Sequence, residues 1–578
     1  SFEIAIQRFP TVLAYFSMSY ETKYDTIFTA SKDIIVELRP LQIGLEALTI
    51  QARRKELFGL KQLTDTRGMT IMSGKKVEIV SLENTVANLA NNNGRQIYAK
   101  VSGLNIYEGN DGGMQLNIGG RGLDPNRTSN FNTRQNHYDI SADVLGYPES
   151  YYVPPPEALE DIEVIRGAAS LQYGTQFGGL INFNLREIPN FNTFHIRASQ
   201  TIGSFGFRNS YLYTGINKKK FSVNAHLNYK AGDGYRSNSE YENLLGIISM
   251  KYQINSTSFI QAELTSSDYL AQQAGGLTDS QFIQNPRQST RVRNWFAVDW
   301  NLYNVRYQNE FSGGDKLSVS LFGLDASRSA VGYRGNPIDI NSNPITALDE
   351  QDLSGNYISP RDLMIGEFNN IGLESKYLRS IVGSRVKQTL LIGTKVYAAR
   401  NTAIQGAGST GSDADFNSYS ADYPAYPIQS SFTFPNFNAS LFAEDIIYLG
   451  DKLSITPGIR VEYIRTGIEG SYQAINYDLA GNPISNQTLT DERALERFFP
   501  LFGVGISYKS NRKLEYYGNI SQNYRSVTFS DIRTVNPTFI IDPEISDESG
   551  FTADFGLRGA IGDYFSYDAS LYSIYYAD

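Results

Sequence analysis

Arginine is the side chain in this sequence best placed to do chemistry. Its guanidinium is a planar fork of N–H donors that grips a carboxylate through paired hydrogen bonds. The chain sets arginines in polar, glycine-containing stretches. Arg127 and Arg134 lie with Asn132, Gln135 and other amides between Leu123 and Asp139; Arg287 and Arg291 share a stretch with Arg293; Arg328, Arg334 and Arg400 border others. Arg127, Asn132, Arg134, Gln135, Arg287, Arg291, Arg334 and Arg400 are therefore the candidate ligand-binding set, suited to an anion. Covalent chemistry is poorly supplied. Cysteine is absent, which removes thiolate nucleophiles, thiolate metal sites and disulfides. The three histidines, His137, His195 and His226, are far apart and none stands in an H-E-x-x-H pair. No phosphate loop G-x-x-x-x-G-K-[ST] and no G-x-S-x-G elbow occurs. The glycine-rich run 405–412 reads as a mobile loop, because no helical pattern follows it. No enzyme, metal site or cofactor is expected, and a net charge of −9 argues against a nucleic-acid partner.

The elements that must carry these arginines are strands. With 578 residues the chain exceeds what one hydrophobic core supports. Aromatic residues reach 13%, while charged residues fall to 19%, below the norm of about 25%. No stretch approaches the roughly 18 apolar residues of a membrane helix. From 191 to 578, segments of about 10–15 residues alternate in polarity, joined in turn by short polar turns and long loops. Phe221-Ser222-Val223-Asn224-Ala225-His226-Leu227-Asn228-Tyr229 is one, and Lys316–Leu324 and Lys452–Tyr463 are others. Long loops are expected at 270–295, 329–364, 400–430, 467–495 and 525–548. Soluble strands average about 5–6 residues, against about 9–11 for crossing a bilayer. The pattern therefore favours a membrane β-barrel over a soluble propeller.

Upstream, residues 1–43 alternate in short runs such as Ile34–Leu38 and read as the end of a β-sandwich. Residues 44–81, with Arg53-Arg54-Lys55-Glu56 and Ser73-Gly74-Lys75-Lys76, read as a linker. Residues 82–190 read as a small α/β domain with a thin core of its own, best packed inside something else. Within it, Leu82, Val86, Leu89 and Ala90 predict a helix capped by Ser81 and stopped at Gly94, followed by strands at Leu116–Ile118, Ile162–Ile165 and Leu180–Phe183.

Several blocks resemble one family. Asn117-Ile118-Gly119-Gly120-Arg121-Gly122-Leu123-Asp124-Pro125-Asn126-Arg127 is similar to N-I-G-x-R-G-x-D-P-x-R. Gly146–Tyr152 with Pro154-Pro155, Ile162–Gly167, Tyr173-Gly174 and Gly178–Phe183 follow in matching order. Downstream stand Leu441–Asp445, Pro457–Arg460, Tyr516–Arg525 and Phe551–Arg558, the last with Asp554 where glutamate is common. These blocks resemble the TonB-dependent outer-membrane receptors, ferric citrate and siderophore type, over residues 45–578. Residues 1–43 resemble the end of a carboxypeptidase-regulatory-like sandwich.

The resemblance implies a 22-stranded barrel occluded by a plug at 82–190, in the outer membrane of a Gram-negative bacterium. About fifteen segments are countable after residue 190, so the chain is expected to be a piece of a longer receptor. Ala47, Leu48, Thr49, Ile50 and Gln51 stand where the family has its TonB box. A short apolar extended segment there could add as a strand to TonB, the energised partner; a plain linking strand is the alternative. Arg121 and Arg166 are expected to pair with barrel-wall carboxylates and hold the plug. The implied activity is import of a ferric chelate, its iron held by the chelator. Import of cobalamin or an oligosaccharide, an ungated porin or secretion barrel, and a surface adhesin or hydrolase are the alternatives.

Overall fold

The computed structural model describes residues 10–15, 23–29, 36 and 64–577, apart from 84, 110–112, 168, 175, 188–192, 334–344, 384–386, 427, 479–482, 512–513, 533–541, 543 and 562–564. The chain divides into two units, Ser1–Lys55 and Glu56–Asp578. In the first, Thr11–Tyr15 and Lys23–Ile27 form an antiparallel pair with Thr11 opposite Ile27. The run 34–38, Val36 apart, and the segment Ala47, Leu48, Thr49, Ile50, Gln51 lie outside the described residues.

The second unit is built on a 15-stranded antiparallel sheet whose order follows the chain from Phe194–Ile202 to Phe565–Ala577. Its alternation is inside out. In Phe221–Gly232 the apolar Phe221 and Leu227 are about half exposed on the outer face, while Asn224, His226 and Asn228 are buried inside. A sheet that turns its apolar side chains outward and polar ones inward meets lipid outside and a polar lumen within. Short turns close one end, as between Leu449 and Leu453, and long connections leave the other. Exposed aromatics gather along the short-turn end, among them Tyr252, Phe311, Tyr508, Tyr516 and Phe565, where an interface girdle belongs.

Residues 467–495 are not the expected long loop. Strands Leu453–Tyr477 and Pro483–Asn511 stay paired through Gly467↔Ala494 as far as Asn476↔Ser485. Polar composition marks this stretch as wet on both faces, which suits a two-stranded ribbon above the membrane as well as it suits a loop. Likewise, Gln405–Ala407 of the glycine-rich run belongs to the strand Lys387–Ala407.

Inside the sheet lies a five-stranded plug sheet, in the order Lys76–Ser81, Leu159–Arg166, Gly179–Leu185, Phe131–Gln135, Tyr138–Asp139. One pair, Gly179–Leu185 with Phe131–Gln135, is parallel. Ile79, Val164 and Ile181 sit in its core. The strand Lys76–Ser81 lies within the stretch read as linker, so the plug sheet begins before residue 82. Its Lys76 and Glu78 looked solvated in sequence, yet both are buried and ion-paired. The helix expected over 82–93 is also corrected. Val86 is fully exposed, and the helix begins only at Gly94–Ile97, capped by Asn93. Asparagine side chains compete with helical backbone bonds; here the Asn91 amide donates to Asn88 Oδ1 at 3.1 Å.

Candidate functional site

The plug is seated by polar contacts spread around the inner wall. Lys75 Nζ donates to Glu444 at 2.7 Å, with both side chains buried. Lys76 reaches Asp568 at 2.7 Å, and Lys395 of the wall reaches Asp139. Asn401 and Asn436 donate to Asp143 Oδ2 at 2.6 and 2.8 Å. Asn209 donates to Glu157 at 2.8 Å. On another side Glu263 accepts from Gln135, Asn136 and Tyr138 at 2.8, 2.7 and 2.6 Å. A buried charge is tolerable only when paired and hydrogen-bonded, so these contacts fix where the plug can rest. Sequence reasoning missed Lys75, Lys76, Asp139, Asp143 and their wall partners. The signal was available as charge or amide at lumen-facing positions of otherwise alternating strands.

Arg121 follows Gly120 with a positive φ of 59° and donates to Asp554 of the wall strand Glu548–Ile561. Its guanidinium also lies 4.9 Å from the Tyr572 ring. Aspartate in place of the usual glutamate therefore still provides the partner. Gly167 makes room for this cluster: a Cβ there would fall 2.3 Å from Asp554 Oδ2. Arg166 departs from expectation. It donates to Glu78 and to the Ser102 carbonyl, each at 2.6 Å, both within the plug. The register places Val164 opposite Glu78 and Arg166 opposite Lys76, so Arg166 and Glu78 share one face of the plug sheet.

The candidate ligand residues separate by face. Asn132, Arg134 and Gln135 are on the fully buried strand Phe131–Gln135. Arg134 accounts for itself with Asp139, Glu374 and Asn132 at 3.0, 3.0 and 2.9 Å, and Gln135 with Glu263 and Tyr152. Asn132 holds Arg134 within the plug, and Arg134 and Gln135 tie the plug to the wall, which corrects their assignment to ligand. Burial opposes the charge on Arg134, but Asp139 and Glu374 outweigh it and hold its pKa above that of an ordinary guanidinium. His137, beside this strand, is pushed well below the usual histidine value, first by burial and then by Lys376, Arg306, Arg67 and Arg134.

The loop arginines are mostly braces. Arg291 is buried and donates to the carbonyls of Thr290 and Ala347 at 2.7 and 3.0 Å. Arg287 packs over Phe205 and Tyr235 and donates to the Tyr235 carbonyl at 3.2 Å. Arg293 and Arg361, both fully buried, tie three connections together. Arg293 bonds Asp349 and the carbonyls of Ser359 and Thr410, and Arg361 bonds Ser409 and the carbonyls of Arg293 and Asp413. The run 408–412, read as mobile, is therefore held by two guanidinium forks. Arg400 is exposed on the outer face of its strand, away from the lumen, because it shares the parity of the outward Ile392 and Val396. Arg334 lies outside the described residues.

Arg127 alone of the set faces an aromatic floor at the loop end of the plug. Its guanidinium is 4.8 Å from the Tyr151 ring and donates to Glu149 at 2.8 Å. Arg328 of the wall lies 5.8 Å from the same ring and 5.6 Å from Phe296, and its buried Nε donates to no described residue. Tyr147, Phe368 and Trp300 extend the floor, with Tyr147 stacked on Phe368 at 5.2 Å.

A lumen filled by an internal plug sheet, with cations and aromatics on the side of the long connections, is the architecture of a plugged outer-membrane barrel receptor. Family models agree: residues 72–180 match the TonB-dependent receptor plug domain and 251–578 the TonB dependent receptor-like β-barrel. The chain belongs to the TonB-dependent receptors, which are outer-membrane transporters and receptors. Among solved structures it is similar to the ferric citrate transporter FecA in its unliganded form, at 19% identity and a TM-score of 0.66, over 84% of this chain and 68% of that one. The ferric yersiniabactin uptake receptor FyuA from Yersinia pestis matches at 12% identity and a TM-score of 0.66, over 86% and 72%. The copper transporter OprC matches at 16% identity and a TM-score of 0.61, over 89% and 72%.

Proposed function

We propose that this receptor imports an anionic ferric chelate into the periplasm, with TonB pulling on the Ala47–Gln51 segment to displace the plug. The observation that carries the ligand class is the Arg127 and Arg328 pair above Tyr151, with an unsatisfied guanidinium N–H on Arg328. Such a donor, buried and without an acceptor, is costly until an anion supplies one. Tyr147, the one ring of the three that is not buried, gives the chelator an apolar face backed by the buried Tyr151 and Phe296. FecA and FyuA, named for ferric citrate and ferric yersiniabactin, share this fold and support the reading by analogy. In the resting state the Arg121–Asp554 pair and the surrounding contacts keep the lumen shut.

Binding of iron-loaded citrate and of other ferric chelates to the purified receptor, beside energised uptake of the same radiolabelled complexes, tests this. At least one chelate is expected to bind, with Arg127→Gln plus Arg328→Gln weakening it by about tenfold or more, since each charge-assisted bond contributes roughly 1.5–3 kcal/mol. Binding of cobalamin or an oligosaccharide, and of no ferric chelate, overturns the ligand class and leaves the gated-receptor architecture intact.

A further inference from the structure

One seam of the wall is held less firmly than the others. Between strands Ser430–Leu449 and Leu453–Tyr477 the ladder runs to Thr433↔Glu469 and resumes at Asn436↔Thr466; it stops again at Glu444↔Gly458 and resumes at Ile447↔Ile455. A proline stands in each gap, Pro435 from one strand and Pro457 from the other. On their far sides they are paired, opposite Arg400 and Val504. Both therefore turn the edge that lacks an N–H toward the same seam. Among the described strands of the wall, no other seam is interrupted twice.

The upper gap is open. It holds a cleft of about 240 Å³ lined by residues of both faces of the wall, the inward Asn436 and the outward Phe437 among them. The lower gap lies at hydrocarbon height. On Pro483–Asn511 the outward Tyr508, Ile506, Val504, Phe502 and Phe498 are exposed and mark the apolar band, and Pro457 is directly opposite Val504. Asp445 stands across from Pro457, between the exposed Leu441 and Leu449, and its buried Oδ1 bonds no described residue. Hydrocarbon offers no water to replace a missing ladder bond, so a break at this height is costly.

The plug grips this seam on the inside. Beside the upper gap, Asn436 donates to Asp143 at 2.8 Å. Beside the lower one, Glu444 accepts from Lys75 at 2.7 Å. Between them Arg460 donates across the seam to Ser440 at 2.7 Å and to the plug carbonyl of Gln172 at 3.4 Å. Leu171 of the plug fills the space left by Gly458 and Gly503, where a Cβ on either would stand 2.7 Å from it. A plug that moves therefore pulls on these two strands where their ladder is weakest.

We infer that this seam is the yield line of the wall: it parts at the two proline rows as the plug moves, and the lumen widens there. The block of Asn436–Glu444 with Gly458–Thr466, held by its own ladder and by the 2.6 Å bond from Asn438 to Glu462, shifts as one piece between the gaps. The inference rests on plug displacement as the gating step, whatever the receptor carries.

The test is the conductance of the intact receptor in planar bilayers under rising urea, which loosens the plug while lipid holds the wall. The chain has no cysteine, so Thr433→Cys plus Glu469→Cys, combined with Ile447→Cys plus Ile455→Cys, lets a short bis-thiosulfonate reagent bridge both gaps. Bridging should lower the open conductance by about a third or more, because lumen width follows the number and spacing of strands, and added thiol should restore it. Val305→Cys plus Leu321→Cys, directly opposite on an unbroken seam, should change nothing when bridged. Pro435→Val plus Pro457→Val, which returns both donors, should lower the conductance with no bridge at all. Unchanged heat-modifiable migration checks the fold of each variant. A conductance that neither the seam bridges nor the proline replacements lower, one that the control bridge lowers as much, or a lumen that conducts at no urea concentration overturns the assignment. Neither TonB nor a chelate is present, so the ligand reading stands or falls separately in its own binding assay.

Discussion

Arg121 and Asp554 lie 433 positions apart in sequence, yet each is buried and depends on the other. Arg121→Ala leaves Asp554 charged, buried and unpaired, a change that typically costs about 3–5 kcal/mol. The expected outcome is a loosened plug, read as a rise in single-channel conductance across planar bilayers, with Arg121→Lys leaking less. His137 gives a pH signature. Its folded pKa lies well below the unfolded value near 6.5, so the unfolded plug takes up a proton in mild acid that the folded plug refuses. Stability is then full well above pH 6.5 and falls as pH drops, by up to about 1.4 kcal/mol at pH 5.5. Lower protection of the plug amides at pH 5.5, after correction for the slower intrinsic exchange in acid and flattened by His137→Gln, checks the sign. Arg121 was legible from sequence because its motif fixes both residue and turn. Arg134 and Gln135 were not, since a list of donors does not say which way a strand faces. Arg400 could have been placed by counting parity from the outward Ile392 and Val396.

At the scale of elements, the segment Phe529–Ile532 bends inward from the wall onto the plug. Phe529 stacks on Phe434 at 4.1 Å, and its amide donates to the Gly146 carbonyl at 2.8 Å. A Cβ at Gly146 would lie 1.9 Å from the Phe529 ring. Gly146→Val should therefore lift the segment, seen as exchange of the Phe529 amide accelerated by about tenfold or more, while the barrel strands keep their protection. No sequence pattern announces this contact, because it joins a plug turn to a wall connection across several hundred residues. The strands were legible for the opposite reason: alternation is local and is enforced by lipid on one side and polar plug on the other. Where both sides are wet, as in the ribbon beyond residue 467, alternation loses its apolar half and the strand passes for a loop. The helix expected at 82–93 failed because periodic Leu82, Val86 and Leu89 say nothing of the asparagine bonds that hold the turns there.

At the scale of the whole molecule, the sheet shields a mixed plug whose polar seams face its wall, and work done on the plug has to break those seams. Replacing Leu48 or Ile50 by proline removes backbone donors needed for strand addition. Energised uptake should be abolished with chelate affinity unchanged; a parallel loss of affinity would place these residues in the ligand site. The plug's existence was legible from the resemblance, but its first strand was not, because Lys75, Lys76 and Glu78 look solvated until the wall is present to pair them. The paired ribbon has a consequence at the cell surface. Some fifteen residues of Pro483–Asn511 precede Phe498 at the edge of the apolar band, and at about 3.3 Å each they reach on the order of 50 Å along the strand. That ribbon carries mostly exposed side chains on both faces and offers a bacteriophage or an antibody an extended surface. Immunoglobulin raised against residues 470–476 and 483–495 should therefore label unpermeabilised cells.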